Sequence, residues 1–475
     1  MQIKLTNKPA TETASTFTRV VCVEKGVECL RNDGKIETLV IVAGKLHKIT
    51  PRTFRTLIRG AIQSAKKYKL KKIAFEFNYA EYTELHTYSI EWAYATLAEN
   101  VLLAEYEFTH YKSKQTKNAL SELLIIGEKS PNILSALAQG ITIAKYMNMC
   151  RDIANTPGGD MTPQLLAKAT KKALTGTKTT VTVLDHIAIK KLGMGGIIGV
   201  GKGSIEKPCF IIVEYWGAGK STKMHKKSVT QSEHLKPLVF VGKGITFDTG
   251  GLQVKPGMSM YEMHMDMSGG ASVIGALGAI ATLALKKNVI GLIPVAENAI
   301  SDRAMRPGDV LKMMSGTTVD VLHTDAEGRL ILADALHYAK KYDPRLVVDV
   351  ATLTGASLVA VGQHAHVIMT KDRALEDTLR DLGEESGDYV FPLPLWDEYK
   401  HYTKGVHGDI ANIPSGDSKY GGSINGGMFL SHFTKGMKWV HIDMAPRMTS
   451  VGSDKLTKGA TGEPVRLLVK IAERL

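Results

Sequence analysis

Leu238-Val-Phe-Val-Gly-Lys243-Gly-Ile-Thr-Phe-Asp248-Thr-Gly-Gly opens on an apolar run and closes on a charged, glycine-rich turn. The run is of strand length, and both faces of such a strand must be buried. Downstream, Ala271–Leu285 is long enough for a buried helix, and Val289–Val295 is again an apolar run of strand length. The same alternation extends outward in both directions. Val181–Leu184, Cys209–Tyr215, Val319–Leu322, Leu346–Val350 and Trp439–Ile442 are further strand candidates, separated by helical segments. Buried Val, Ile and Leu runs alternating with helices specify an α/β catalytic domain with a mostly parallel sheet flanked by helices. In such sheets chemistry sits beyond the carboxyl ends of the strands.

The first 129 residues read as a smaller α/β domain. Its strand candidates are Thr38–Val42, Lys72–Phe77 and Leu120–Ile126, and its helix candidates are Pro51–Tyr68 and Thr83–Glu99. Ile133–Ile153 reads as one long helix that ends at the breaker Asn155-Thr156-Pro157-Gly158-Gly159. The expected division is therefore 1–129, a connecting helix over 130–155, and a catalytic domain over 156–475.

A chain of 475 residues exceeds one ordinary core, and 44% hydrophobic with 23% charged residues fits a folded protein. The opening MQIKLTNKPATETAST lacks the apolar centre of a signal peptide, and the Ala271–Leu285 stretch is short for a membrane span. Cys22, Cys29, Cys150 and Cys209 are too few and too scattered for a disulfide framework. A cytoplasmic protein is expected. The net charge is +13, from 60 Lys+Arg against 47 Asp+Glu. Lysines cluster at Lys66, Lys67, Lys69, Lys71 and Lys72, and at Lys220, Lys223, Lys226 and Lys227. Such clusters permit nucleic-acid binding, but without interleaved aromatic residues they read as solvated surface.

Two glycine-rich stretches fail as nucleotide sites. Gly217-Ala-Gly219-Lys220-Ser221-Thr222 has Glu214 where a phosphate-binding loop needs glycine, and Gly193-Met-Gly195-Gly196-Ile-Ile-Gly199 has Ile198 at its third-glycine position. HExxH and GxSxG are both absent.

The segment opened by Leu238 continues through Lys255-Pro-Gly to Met263-His264-Met265-Asp266-Met-Ser-Gly-Gly. A second segment, Val321-Leu-His323-Thr-Asp325-Ala-Glu327-Gly-Arg329-Leu, also follows a strand candidate and runs into a helix candidate, Leu330–Tyr342. Together they bring Asp248, Asp266, Asp325 and Glu327 toward one crevice with Lys243, Lys255 and Arg329. Four converging carboxylates repel one another unless cations neutralise them, and a pair of divalent ions does so. The alternative is a set of separate helix caps and surface ion pairs, with Asp266 and Asp325 as caps.

These residues resemble the leucine aminopeptidase family of two-metal peptidases. The family signature Asn-Thr-Asp-Ala-Glu-Gly-Arg-Leu matches His323–Leu330 at seven of eight positions. Gly242-Lys-Gly-Ile-Thr-Phe-Asp-Thr-Gly-Gly, Asp349-Val-Ala-Thr-Leu-Thr-Gly-Ala, Leu393-Pro-Leu-Trp and Gly408-Asp-Ile-Ala-Asn follow in the family's order, from about Asn155 to the C-terminus.

The resemblance implies one metal ion on Lys243, Asp248, Asp266 and Glu327, and a more exchangeable one on Asp248, Asp325 and Glu327. It makes Lys255 and Arg329 catalytic, with bicarbonate on Arg329 as general base. It places Met263, Thr352, Leu353 and Gly355 at the pocket for the first side chain, and gives Asp266 a share in binding the α-amine. Manganese or zinc is the expected metal, with magnesium or cobalt as further candidates. Peptides with a free N-terminus are the expected substrates, and a homohexamer the expected assembly.

Two positions depart from the family. His323 replaces the signature asparagine, which leaves it as a hydrogen-bond donor to the ligands, an extra ligand or a satisfied interior residue. Asp443-Met-Ala-Pro-Arg replaces Asp-Ile-Ala-Gly. Other classes compatible with the residues are a nucleic-acid-binding protein, on charge, and a two-metal phosphatase or nuclease, on clustered carboxylates. The complete ligand set and the Lys255–Arg329 pairing favour the peptidase.

Overall fold

The computed structural model describes residues 1–9, 16–34, 36–114, 119–219, 235–415 and 420–475, so the second lysine cluster (Lys220–Lys227) lies outside the described residues. The chain forms two units, Met1–Asn148 with Ser450–Lys458, and Met149–Thr449 with Gly459–Leu475. The helix Pro131–Asn155 contains the point of division.

In the first unit β1 (Gln2–Thr6), β2 (Thr18–Val23), β3 (Cys29–Asn32), β4 (Glu37–Val42), β5 (Lys72–Phe77) and β6 (Glu122–Gly127) form one sheet, ordered β1-β6-β5-β2-β4-β3. All pairings are parallel except β3 with β4. The helix Pro51–Lys67 forms where expected, its entry fixed by Thr50, whose side chain accepts the Thr53 amide. The expected helix over Thr83–Glu99 is corrected. Thr83–Thr87 is a 3-10 turn, and the α-helix starts only at Ile90 and continues to Glu105, with the Ser89 hydroxyl accepting the Trp92 amide. Side-chain capping by serine competes with helix continuation, so Ser89 stands before the helix rather than inside one.

The second unit carries β7 (Thr179–Leu184), β8 (Cys209–Trp216), β9 (Leu238–Gly242), β10 (Gly244–Asp248), β11 (Asn288–Asn298), β12 (Val310–Lys312), β13 (Thr318–Asp320), β14 (Leu346–Ala351), β15 (His366–Met369), β16 (Val390–Pro392), β17 (Ile410–Ala411) and β18 (Trp439–Asp443). The main sheet runs β16-β15-β18-β14-β9-β11-β8-β7, with β10 paired to β11. Its centre, β18-β14-β9-β11, is parallel, and β8 and β15 flank that centre antiparallel. One expectation is overturned: Val319–Leu322 does not join the main sheet. Its strand is Thr318–Asp320, which pairs with β12 and β17 in a separate three-stranded sheet.

Helices cover both faces because side chains alternate along a strand. Ile290 and Leu292 of β11 pack in the same core as Leu330, Ile331 and Leu332 of the helix Gly328–Ala339. Gly291 faces the other way, toward Val273 and Leu277 of the helix Ser268–Thr282. No helix among the described residues is long and apolar enough to cross a membrane.

Candidate metal centre

The strand quoted at the outset delivers Lys243 and Asp248. β9 ends at Gly242, Lys243 bridges to β10, and β10 ends on Asp248. Both strands are almost wholly buried, and they leave Lys243 and Asp248 buried at the sheet's carboxyl edge. Asp266 stands just before the helix Ser268–Thr282, and Glu327 just before Gly328–Ala339.

Neither Asp266 nor Asp325 caps a helix. The cap residues are Met267 and Glu327, and neither makes a side-chain capping bond. Asp248, Asp266 and Glu327 are all buried, which also removes the surface ion-pair alternative.

The cluster has two halves. Lys243 Nζ lies 2.7 Å from Asp266 Oδ1 and 2.9 Å from Glu327 Oε1, and donates to the Thr352 carbonyl at 2.9 Å. Lys255 Nζ lies 2.8 Å from Asp248 Oδ2 and 2.6 Å from Asp325 Oδ1. Burial pulls both ammonium groups down, but the carboxylates around them outweigh it and hold both above the ordinary lysine range. Burial, reinforced by Asp248 and Glu327, pushes the Asp325 carboxyl up to about 7, and burial raises Asp266 against the pull of Lys243.

Gly328 is required by close approach, because a Cβ there would stand 2.6 Å from Lys243 Cε. Gly250, at φ +86°, lets its amide turn back to donate to Asp248 Oδ1 at 2.9 Å.

The carboxylates fit a divalent ion. Asp248, Asp325 and Glu327 each offer an oxygen, and the three lie within 4.8 Å of one another. Asp266 Oδ2 is buried without a hydrogen-bond partner. Such an atom costs roughly 1–3 kcal/mol, more when charged, unless a cation or donor meets it.

Arg329 enters the same region from the first turn of its helix. Burial draws its guanidinium down to about 10. Nη1 donates to the Asn412 carbonyl at 2.7 Å, and Nε is buried without a partner. A buried cation with a spare donor suits an oxyanion.

Thr352 Oγ1 donates to Asp266 Oδ1 at 2.6 Å, so the β14 loop is tied to the cluster. Leu353 is half-buried, and Gly355 opens the helix Gly355–Val361 with open space where a Cβ would stand. Met263 is joined to Asp266 through its own carbonyl, which accepts the Asp266 amide at 3.3 Å.

His323 takes up an asparagine-like role. Its Nδ1 accepts the Asp325 amide at 3.2 Å, the bond an asparagine Oδ1 makes two residues back in an Asx turn. Burial and the nearby Lys255 and Arg329 lower its pKa, consistent with a neutral ring.

Several supporting residues escaped the sequence reading. Asn298 Nδ2 donates to Asp248 Oδ1 at 2.8 Å and to the Thr324 carbonyl at 3.1 Å. Asn412 Oδ1 accepts the Leu322 and His323 amides at 2.8 and 3.2 Å, and its Nδ2 donates to the His323 carbonyl at 2.6 Å. Asn412 is held in turn by the small sheet. Its amide donates to the Asp320 carbonyl at 3.0 Å, and the Asp320 carboxylate accepts the amides of Val406, His407 and Gly408 at 2.6–2.9 Å. Asp443 Oδ1 accepts the Leu353 amide at 3.1 Å, and Oδ2 accepts Thr354 Oγ1 at 2.6 Å. Asn412 ends the quoted segment Gly408-Asp-Ile-Ala-Asn, so its signal was present without a role. Asn298 lies in no motif.

Comparison with known proteins agrees with this geometry. Residues 148–469 match the catalytic domain of the cytosol aminopeptidase family, and residues 30–115 match its N-terminal domain. A probable cytosol aminopeptidase of Azoarcus sp. (strain BH72) is 40% identical over 438 residues, covering 91% of this chain and 83% of that protein. One from Aromatoleum aromaticum is 42% identical over 387 residues, covering 80% and 74%. Among solved structures, a tomato leucine aminopeptidase mutant superposes with a TM-score of 0.86 at 25% identity, covering 100% of this chain and 97% of that one. The bottromycin maturation enzyme BotP in complex with Mn superposes at 0.82 with 27% identity, covering 97% and 99%. With both of its domains matched, the chain belongs to the cytosol aminopeptidase family and is a metal-dependent peptidase.

Proposed function

We propose that the enzyme removes the N-terminal residue from peptides using two divalent ions, one on Lys243, Asp248, Asp266 and Glu327 and the other on Asp248, Asp325 and Glu327. The observation that carries this reading is the convergence of three carboxylate oxygens within 4.8 Å, beside the buried Lys243–Asp266 pair. Oxygen donors suit manganese or magnesium, and zinc and cobalt also bind such sets. Bound there, the ions supply Lewis acidity to a carbonyl and lower the pKa of a shared water.

The chain's own residues do the rest. Asp266, with its spare Oδ2, receives the peptide's free α-amine, which restricts cleavage to the first bond. Met263, Thr352, Leu353 and Gly355 border the first side chain. Lys255 donates to the carbonyl oxygen as negative charge develops there. Arg329, through its unpartnered Nε, would hold a bicarbonate ion, which would supply a general base for the attacking water.

Two measurements test this. Prolonged chelation is expected to abolish hydrolysis of amino-acid anilides, and manganese or zinc to restore it; full activity in verified metal-free protein overturns the two-ion reading. Acetylating the α-amine of a good peptide substrate is expected to remove nearly all turnover. Equal rates on blocked and free peptides would instead identify an endopeptidase.

A further inference from the structure

β18 links two different ends of the catalytic unit. Its last residue, Asp443, holds the Leu353–Thr354 loop beside the metal centre. Its first residue, Trp439, lies at the amino end of the parallel strands and lines a cavity of about 720 Å³, within the range of small-molecule sites.

Four lysines from three segments surround this cavity. Lys371 follows β15, Lys400 lies on the 3-10 turn Asp397–Thr403, and Lys435 and Lys438 precede β18. Among the described residues two carboxylates answer them. Asp372 pairs with Lys438 at 2.8 Å while its other oxygen caps the helix Arg373–Ser386. Asp397 is shared between Lys371 and Lys400. Lys435 has no carboxylate partner among the described residues, so the wall carries a surplus of two positive charges.

The field inside is felt by His432, which also lines the cavity. Burial first, then Lys435, Lys400 and Lys371, lower its pKa. Leu395, Met437 and Trp439 give the wall an apolar part, beside the hydroxyl residues Thr370, Ser431 and Thr434.

We propose that this cavity binds a small molecule bearing a phosphate group on an apolar or aromatic body. A phosphate dianion matches the surplus of two charges, and its oxygens reach lysines arriving from several directions. A carboxylate would neutralise one charge only. The apolar part of the wall takes the body of the ligand. This site is separate from the metal centre and does not depend on the peptidase reading.

Equilibrium dialysis of the full chain against phenyl phosphate at 0.15 M salt tests it, with benzoate as the monoanionic control. One phenyl phosphate per chain is expected, with benzoate weaker by tenfold or more, roughly the effect of one charged hydrogen bond. Binding should persist after chelation and in Arg329→Ala, which separates this cavity from phosphate captured at the metal centre. The Lys371→Ala/Lys435→Ala double variant alters exposed side chains away from the metal centre, so it should hydrolyse anilides normally yet bind phenyl phosphate at least tenfold more weakly. Absence of binding at millimolar phenyl phosphate, loss of binding on chelation, equal affinity for benzoate, or wild-type affinity in the double variant each overturns the proposal.

Discussion

Replacing Lys255 with alanine is expected to lower kcat by roughly 10²–10³ while the protein keeps its full complement of divalent ions, the usual cost of removing one oxyanion donor. Lys243→Ala is expected to lose metal occupancy together with rate. The two lysines stand in different places in the cluster. Lys243 is enclosed by Asp266, Glu327 and the Thr352 carbonyl, and is buried. Lys255 sits on the more open side, between Asp248 and the half-buried Asp325.

With its carboxylate partners Lys243 is held as an ammonium ion, above its ordinary pKa. To act as a ligand it must lose that proton, which requires cations whose charge outweighs the pull of Asp266 and Glu327. Lys255 needs no such change. Its interaction with a carbonyl oxygen grows as that oxygen becomes negative, so it favours the transition state over bound substrate. Metal analysis of the purified variants beside their kinetics decides the matter. Metal loss in Lys255→Ala with both ions kept in Lys243→Ala would reverse the assignment, and unchanged activity in both would move the site elsewhere.

The central strands were legible because their pattern is simple. A strand buried on both faces, such as Leu238–Val241, has no polar residue to confuse its reading, and Leu346–Val350 has only Asp349. The charged residues that follow it stand out against the apolar run. Elements with weaker patterns were not found. β12 and β17 have three and two residues, too few for periodicity, and β10 follows β9 across a single residue, Lys243. From sequence Val319 reads like a main-sheet strand, because an apolar run carries no information about which sheet it joins.

The same limit applies at the metal centre. Asp248, Asp325 and Glu327 could be gathered from sequence because each follows a strand or opens a helix. Asn298 and Asn412 could not, since an asparagine that orients a carboxylate looks like any loop asparagine until its partners are known. His323 shows the reverse case. As a histidine beside acidic residues it leaves a donor, a ligand and an interior role open, and its Nδ1 is used as the acceptor of the Asp325 amide.

The second large effect concerns stability. Arg447→Ala is expected to destabilise the catalytic unit by about 3–5 kcal/mol, the range for breaking a buried ion pair by removing one partner. Arg447 donates from Nε to Glu463 Oε2 at 3.0 Å, from Nη2 to Oε1 at 2.7 Å, and from Nη1 to the Gln363 carbonyl at 2.7 Å. Glu463 is buried, and without Arg447 its remaining cationic neighbours are Arg466 at 3.5 Å and His366 at 3.3 Å among the described contacts. Arg466 is already engaged by Asp388 at 2.7 Å.

Burial alone would raise the Glu463 carboxyl; Arg447, His366 and Arg466 outweigh it and hold the group well below the ordinary glutamate range. A depressed folded pKa makes this a stabilising contribution at neutral pH. It persists above the unfolded glutamate value, about 4.3, and fades as pH falls below it. The loss in Arg447→Ala should therefore be largest near neutral pH and shrink in acid. Because the penalty comes from a stranded charge, Arg447→Met combined with Glu463→Leu should be less destabilised than Arg447→Ala alone. Urea denaturation of the three proteins at neutral and acidic pH measures all of this. A double variant less stable than the single would mean that Arg447 acts through packing and its Gln363 contact rather than through Glu463.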